Sequence, residues 1–248
     1  MTDQRNMPNP FTLVGKRILV TGASSGIGQG IAHSCAAMGA HVVLTGRNAD
    51  RLQHALAMLP GEHHVWHSAD ITVREEVQGL IDVLPILDGV VHSAGVQRLA
   101  PVHLLNEKLL RGVVEANFIA PVLLTQQLLQ RGLIAAGGSI LLLSSSAAHT
   151  GTAGVASYAA SKAALHGFMR CLVMEQAKRR VRVNCIVPSA VDTPLWDRQH
   201  LEAQRARHPL GLGTVDDVAH AAVYFLSNAS RWVTGAEFVM DGGILLAS

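Results

Sequence analysis

Short apolar runs along the chain alternate with stretches of helical periodicity, predicting strands buried on both faces and separated by helices. Arg17-Ile18-Leu19-Val20-Thr21 is the first such run; it ends in a glycine turn, and a helical pattern follows to Met38 and stops at Gly39. Further strands are predicted at His41 to Thr45, His64 to Ala69, Asp88 to His92, Ser139 to Ser144, Val181 to Val187 and Gly235 to Asp241. Thr72-Val73-Arg74-Glu75 reads as a capping box opening a helix to about Val83, and Thr214-Val215-Asp216-Asp217 caps another to about Ser227. A long Leu-rich helix is predicted from about Leu105 to Arg131, interrupted by Gly112 and Pro121. The helix bearing Tyr158 and Lys162 closes with Lys178, Arg179 and Arg180, cations suited to the negative end of a helix dipole. Strand and helix in alternation predict an α/β Rossmann-type, doubly wound sandwich: a seven-stranded parallel sheet with helices on both faces. Residues 1–248 form one domain in this reading, with 189–209 as a flap over the site or a surface excursion.

Composition narrows the class. With 248 residues, 49% of them apolar, the chain can bury one large core. Net charge is +2 with the basic residues scattered, so no nucleic-acid footprint is visible. Cys35, Cys171 and Cys185 are far apart and lack a C-x-x-C; they read as small core residues in a reducing compartment. Met1 to Thr12 has no apolar signal-like segment, and the uncharged run between Arg131 and Lys162 is broken by Gly137, Gly138, Gly151 and Gly154. A cytoplasmic protein without a membrane partner is therefore expected. His63, His64 and His67 would not share one strand face, a poor geometry for metal, and no metal is expected.

The chemistry centres on Ser157-Tyr158-Ala159-Ala160-Ser161-Lys162, with Ser144-Ser145-Ser146 upstream. Tyr158 and Lys162 share a helix face at this spacing, and a nearby ammonium would lower the phenol's pKa. Ser145 can then hydrogen-bond a substrate oxygen that Tyr158 protonates, a set suited to carbonyl reduction. Thr21-Gly22-Ala23-Ser24-Ser25-Gly26-Ile27-Gly28, between strand and helix, has the context of a phosphate-binding loop. The second strand ends at Gly46-Arg47 rather than at an acidic residue. A guanidinium there favours the 2′-phosphate of NADP(H) over NAD(H), unless it is a solvated loop arginine. Asp70 ends the third strand and either meets the adenine or starts a turn. Small residues in His92-Ser93-Ala94-Gly95 let backbone lie against a flat ring. Pro121 cannot bond the carbonyl of Asn117, leaving it for a water that bridges toward Lys162, unless the kink only shapes packing.

Taken in order, these landmarks resemble the short-chain dehydrogenase/reductases, single-domain branch, over nearly the whole chain. They are the glycine loop, residues 92–95, Asn117, Ser145, Tyr158 with Lys162, and residues 184–194. The resemblance implies Asn117, Ser145, Tyr158 and Lys162 as the catalytic set. Tyr158 would be the general acid or base, Lys162 would lower its pKa and hold the nicotinamide ribose, and Ser145 would orient the carbonyl. It places NADP(H) along Gly22, Ser24, Ser25, Gly26, Ile27, Gly28, Arg47, Asp70, Ile71, Ala94, Gly95, Pro188, Val191 and Thr193, together with Tyr158 and Lys162. It implies a small carbonyl or alcohol substrate and a homodimer or homotetramer. Two positions depart from the family: His92-Ser93 replaces an Asn pair, which would weaken support between neighbouring strands, and Ser189 replaces a Gly. A 3-oxoacyl-carrier-protein reductase is the nearest alternative, but one of its two basic docking positions is Ala136 here and the other is Arg179. A non-catalytic NADP(H)-binding sensor is a further alternative. Substrate would be read by residues 95–101, 146–156 and 189–209, including His149, Val155 and Trp196, with His149 otherwise a solvent-facing loop histidine.

Overall fold

The computed structural model describes residues 9–193 and 198–247. Seven strands form one sheet: β1 (Arg17–Thr21), β2 (His41–Gly46), β3 (Val65–Ser68), β4 (Leu87–His92), β5 (Ile134–Leu143), β6 (Arg182–Pro188) and β7 (Glu237–Met240). Every neighbouring pair is parallel, in the order β3-β2-β1-β4-β5-β6-β7. The helices are α1 (Gly26–Ala37), α2 (Ala49–Ala57), α3 (Arg74–Val83), α4 (Glu107–Val114), α5 (Ala120–Gln130), α6 (Ala156–Gln176), α7 (Arg198–Arg205) and α8 (Val215–Leu226).

The two-residue period of a strand divides its apolar side chains between two cores. Ile18, Val20, Val42 and Leu44 face a cluster with Ile31, Val218 and Phe225, while Leu19 and Val43 face one with Leu80, Leu128 and Met169. Both layers are closed, so the strands need no polar face. Strand order reverses beside β1, and the crevice between the ends of β1 and β4 is where such sheets bind ligands.

Several local expectations change. No capping box forms at Thr72: α3 starts at Arg74 with Val73 at the N-cap and no side-chain bond. Instead Asp70 Oδ1 accepts from both the backbone N–H and the hydroxyl of Thr72, and Glu76 accepts from the Asp70 N–H at 2.7 Å. The box at Thr214 and Asp217 does form. β5 begins at Ile134, five residues before the predicted start at Ser139, and its register with β4 shifts between Leu87 and Gly89. Cys171 is exposed, unlike Cys35 and Cys185. The histidine trio also disperses: His64 Nδ1 accepts from the Val42 N–H, and only His67 lies within β3.

The long helix is continuous but changes type. Glu115–Ile119 is a π-turn in which the Ala120 N–H bonds back to Glu115. Pro121 has no N–H for the Asn117 carbonyl, and a wider turn accommodates that gap. Residues Glu107–Gln130 are long and apolar enough to span a membrane. Val113, Asn117, Ala120, Leu124 and Leu128 are nevertheless buried inside the domain, as in a core helix.

Candidate active site

α6 carries Tyr158 and Lys162 one turn apart, and places the Lys162 Nζ 5.8 Å from the centroid of the Tyr158 ring. That ammonium is buried and donates to the Leu143 carbonyl at 2.7 Å. Burial lowers the Lys162 pKa to about 8, with Cys185 pulling slightly the other way. Burial also raises the Tyr158 pKa, and the Ser145 hydroxyl works against the rise. The expectation that Lys162 lowers the phenol is therefore corrected: desolvation dominates, and the opposing pull comes from Ser145 while the ammonium is engaged by Leu143.

Ser145 follows β5 and caps the short turn Ser146–Ala148, accepting from the Ala147 N–H at 3.2 Å. Its neighbour Ser144 is buried and donates to the Lys162 carbonyl at 3.1 Å. The end of β5 is thus tied to α6 at Lys162, through both its side chain and its backbone.

The Asn117 side chain has a role the sequence reading missed. Its Oδ1 accepts from the Val96 N–H at 2.7 Å, and its Nδ2 donates to the Val96 carbonyl at 2.9 Å and to Ser161 Oγ at 3.0 Å. This buried amide fixes the loop after β4 against α6. A Cβ added at Gly95 would lie 3.1 Å from Asn117 Oδ1 and 3.3 Å from Lys162 Nζ, so a side chain there would crowd both. A buried Asn in an apolar helix was the available signal; its partners were not.

Replacement of the Asn pair by His92-Ser93 does not leave the β4 end unsupported. Thr21 Oγ1 accepts from the N–H groups of Ser93 and Ala94, both at 3.1 Å. His92, 3% exposed, meets Thr125 Oγ1 at 2.8 Å, and that hydroxyl donates to the Pro121 carbonyl at 2.8 Å. His92 Nε2 must then donate, leaving Nδ1 without a partner among the described residues. Burial lowers the His92 pKa to about 4, so the ring is neutral.

The glycine loop fits a dinucleotide. Gly22 has φ +66°, and a Cβ there would lie 2.8 Å from the Ala94 backbone. Its backbone and the end of β4 therefore pack as only a glycine allows. The N-terminus of α1 has neither a side-chain cap nor an acidic residue in its first turn, so its N–H groups suit an anion. Gly46 lies against Ser24, which puts the exposed Arg47 at the same rim. Asp70 has committed one oxygen to Thr72.

A cleft of about 960 Å³ opens at this end of the sheet. Its walls include Ile27, Gly95, Ser145, Tyr158, Lys162, Pro188, Val191 and Thr193. Gly22, Ser24, Ser25, Gly26, Gly28, Arg47, Asp70, Ile71, Ala94 and Asn117 are not among its walls; apart from Asn117, they follow the ends of β1 to β4. Gln97 and Arg207 come from loop ranges expected to read substrate, whereas the C-terminal Ile244, Leu245 and Ala247 were not foreseen. Within the predicted flap, α7 is described, whereas Trp196 lies outside the described residues. Ser189, the second departure, donates its hydroxyl to His208 Nε2 at 2.8 Å, and His208 Nδ1 donates to the Gln204 carbonyl at 2.6 Å.

The profile of the family described as Enoyl-(Acyl carrier protein) reductase matches residues 22–245. The chain is 35% identical to D-threitol dehydrogenase of Mycolicibacterium smegmatis over 244 residues, covering 94% of each. It is 33% identical to the 3-oxoacyl-[acyl-carrier-protein] reductase FabG of Chlamydia pneumoniae, covering 94% of this chain and 98% of that one. Among solved structures, a short chain dehydrogenase from Burkholderia cenocepacia in complex with NADP superposes with a TM-score of 0.89 at 31% identity, covering 96% of this chain and 100% of the other.

Proposed function

The chain belongs to the short-chain dehydrogenase/reductase family, and from that premise we infer that it reduces a carbonyl, or oxidises the matching secondary alcohol, with NADP(H) as coenzyme. The observation that carries this reading is the meeting of Ser145, Tyr158 and Lys162 in one cleft beside the glycine turn. NADP(H) supplies or accepts the hydride. Its pyrophosphate would lie on the uncapped start of α1, over Gly22, Ser24, Ser25, Gly26, Ile27 and Gly28. Arg47 would pair with a 2′-phosphate. The comparison structure with NADP from Burkholderia cenocepacia supports this coenzyme choice. Asp70 with Ile71, Ala94 with Gly95, and Pro188, Val191 and Thr193 would complete the contact.

Tyr158 hands its phenolic proton to the carbonyl oxygen in reduction and recovers it in oxidation. Ser145 holds that oxygen within reach of the phenol. Lys162 contributes positive charge beneath the pair, its pKa of about 8 leaving much of it protonated at neutral pH. The Asn117 amide holds the 95–96 loop and, through Ser161, the start of α6, so it acts by positioning. Lys162, donating to the Leu143 carbonyl, would also hold the nicotinamide ribose.

A panel of ketones and aldehydes assayed by loss of NADPH absorbance tests this reading. Tyr158→Phe is expected to lower kcat by about 100-fold or more, the contribution of a positioned general acid. Equal rates for the two proteins would remove Tyr158 as proton donor, and no turnover across the panel would favour the non-catalytic sensor. The Chlamydia pneumoniae relative gives a second reading, reduction of a carrier-bound 3-oxoacyl group. Against carrier docking, position 136 is an alanine, and the Arg179 guanidinium is tied to the Ile134 carbonyl. Turnover of acetoacetyl-CoA would support this second reading, and its absence would count against it.

A further inference from the structure

Behind the catalytic serine, three ligand-type side chains from separate elements converge: His149 from the loop after β5, His166 from α6 and Glu237 at the start of β7. His166 Nδ1 lies 3.0 Å from Glu237 Oε2, and His149 Nε2 lies 3.5 Å from the same oxygen. All three donor atoms fall within 4.8 Å of one another. Metal–ligand bonds of about 2.0–2.1 Å at tetrahedral angles put neighbouring donors about 3.3 Å apart. Two of the separations bracket that value, and the third closes by rotation of the exposed His149 ring.

The hydrogen-bond polarity leaves a position for a cation. In the tautomer whose Nε2 donates to Ser144 Oγ at 2.7 Å, the serine hydroxyl gives its own proton to the Lys162 carbonyl at 3.1 Å. The remaining ring nitrogen then presents a lone pair to a carboxylate oxygen 3.0 Å away. Two acceptors at that distance require a proton or a metal ion between them. The second N–H, engaged by a hydroxyl, is the outer contact that orients histidine ligands. Arg170 binds the other carboxylate oxygen, Oε1, at 3.1 Å and leaves Oε2 free to ligate.

We propose that His149, His166 and Glu237 bind one divalent transition-metal ion of the zinc class, with its open position toward the cleft that His149 lines. Two imidazoles and one carboxylate suit zinc or cobalt and are poor ligands for the oxygen-seeking magnesium and calcium. The ion would brace the 144–149 loop, and with it Ser145, against α6 and β7. This site is separate from the hydride-transfer reading and needs neither coenzyme nor substrate to be observed.

The test is a zinc titration of chelator-treated protein in competition with a chromogenic chelator, followed by cobalt substitution. One zinc per chain with a dissociation constant in the micromolar range or tighter is expected. His149→Ala and Glu237→Gln should each weaken binding by about 10-fold or more. Ser144→Ala should weaken it by about 10-fold, the effect of losing an outer hydrogen bond. Cys171→Ser, which removes the exposed thiol, should leave affinity unchanged. Bound cobalt should show a nitrogen–oxygen spectrum without thiolate charge transfer. Zinc should also raise the wild-type melting temperature but not that of Glu237→Gln, a readout that separates loss of binding from loss of fold. Absence of saturable binding would show that only a proton occupies the gap and would overturn the proposal. So would binding that survives Glu237→Gln but not Cys171→Ser.

Discussion

Arg47 and His92 show how differently two single side chains announce themselves. Arg47 is legible from its place after β2, and the structure leaves it exposed beside the glycine loop. A charge-assisted pair with a 2′-phosphate is worth about 1.5–3 kcal/mol, so Arg47→Ala should weaken NADPH binding roughly 10- to 100-fold and leave NADH nearly unchanged. Fluorescence titration with both coenzymes checks this, and a wild-type preference for NADH would overturn the assignment. His92 looked like a weakened contact and is instead a buried bridge to Thr125. Its pKa falls from 6.5 to about 4 on folding. Between those values the unfolded chain binds the proton and the folded chain does not. The stability due to its neutral form is therefore complete above about pH 6.5 and is lost on acidification, by roughly 3 kcal/mol at pH 4. Urea unfolding from pH 7 to 4 should show this slope, and His92→Asn should flatten it.

At the scale of elements, local rules succeed where partners are near in sequence. The Thr214 box forms because the hydroxyl and carboxylate lie three residues apart and meet no competitor. No box forms at Thr72: its hydroxyl turns back to Asp70 and the helix starts one residue later, with Val73 at the N-cap. Pro121 correctly marked a disturbance around Asn117, but its form, a π-turn whose amide grips the Val96 backbone, depends on a loop about twenty residues away. The 189–209 segment was legible only as a flap over the site or a surface excursion. Its anchor is His208, bonded to the Gln204 carbonyl four residues back and to Ser189, a partner no periodicity connects to it. His208→Ala forfeits two hydrogen bonds of about 1 kcal/mol each, so local opening should rise about 10-fold or more. Limited trypsin digestion read by mass spectrometry should then cut faster after Arg205 and Arg207. An unchanged cleavage rate would mean that His208 does not anchor the segment.

For the molecule as a whole, β7 closes the sheet as an edge strand with Phe238 and Val239 exposed, and Trp232 just before it is 93% exposed. An apolar edge of this kind invites pairing with another copy. The proposed homodimer or homotetramer should therefore give a light-scattering mass that is a multiple of 26.3 kDa. Val239→Lys should shift it toward the monomer, and a wild-type monomer at all concentrations would exclude assembly. By itself the sequence determined the succession of strands and helices, the doubly wound parallel sheet, the glycine turn and the shared face of Tyr158 and Lys162. Each follows from residue spacing within a few turns or from the burial of both faces of a strand. Tertiary structure alone decided the Asn117 clamp, the His92–Thr125 bridge, the convergence of His149, His166 and Glu237, and the direction of each pKa. Those depend on which distant groups meet and on how much water remains between them, and the order of residues along a chain does not encode either one locally.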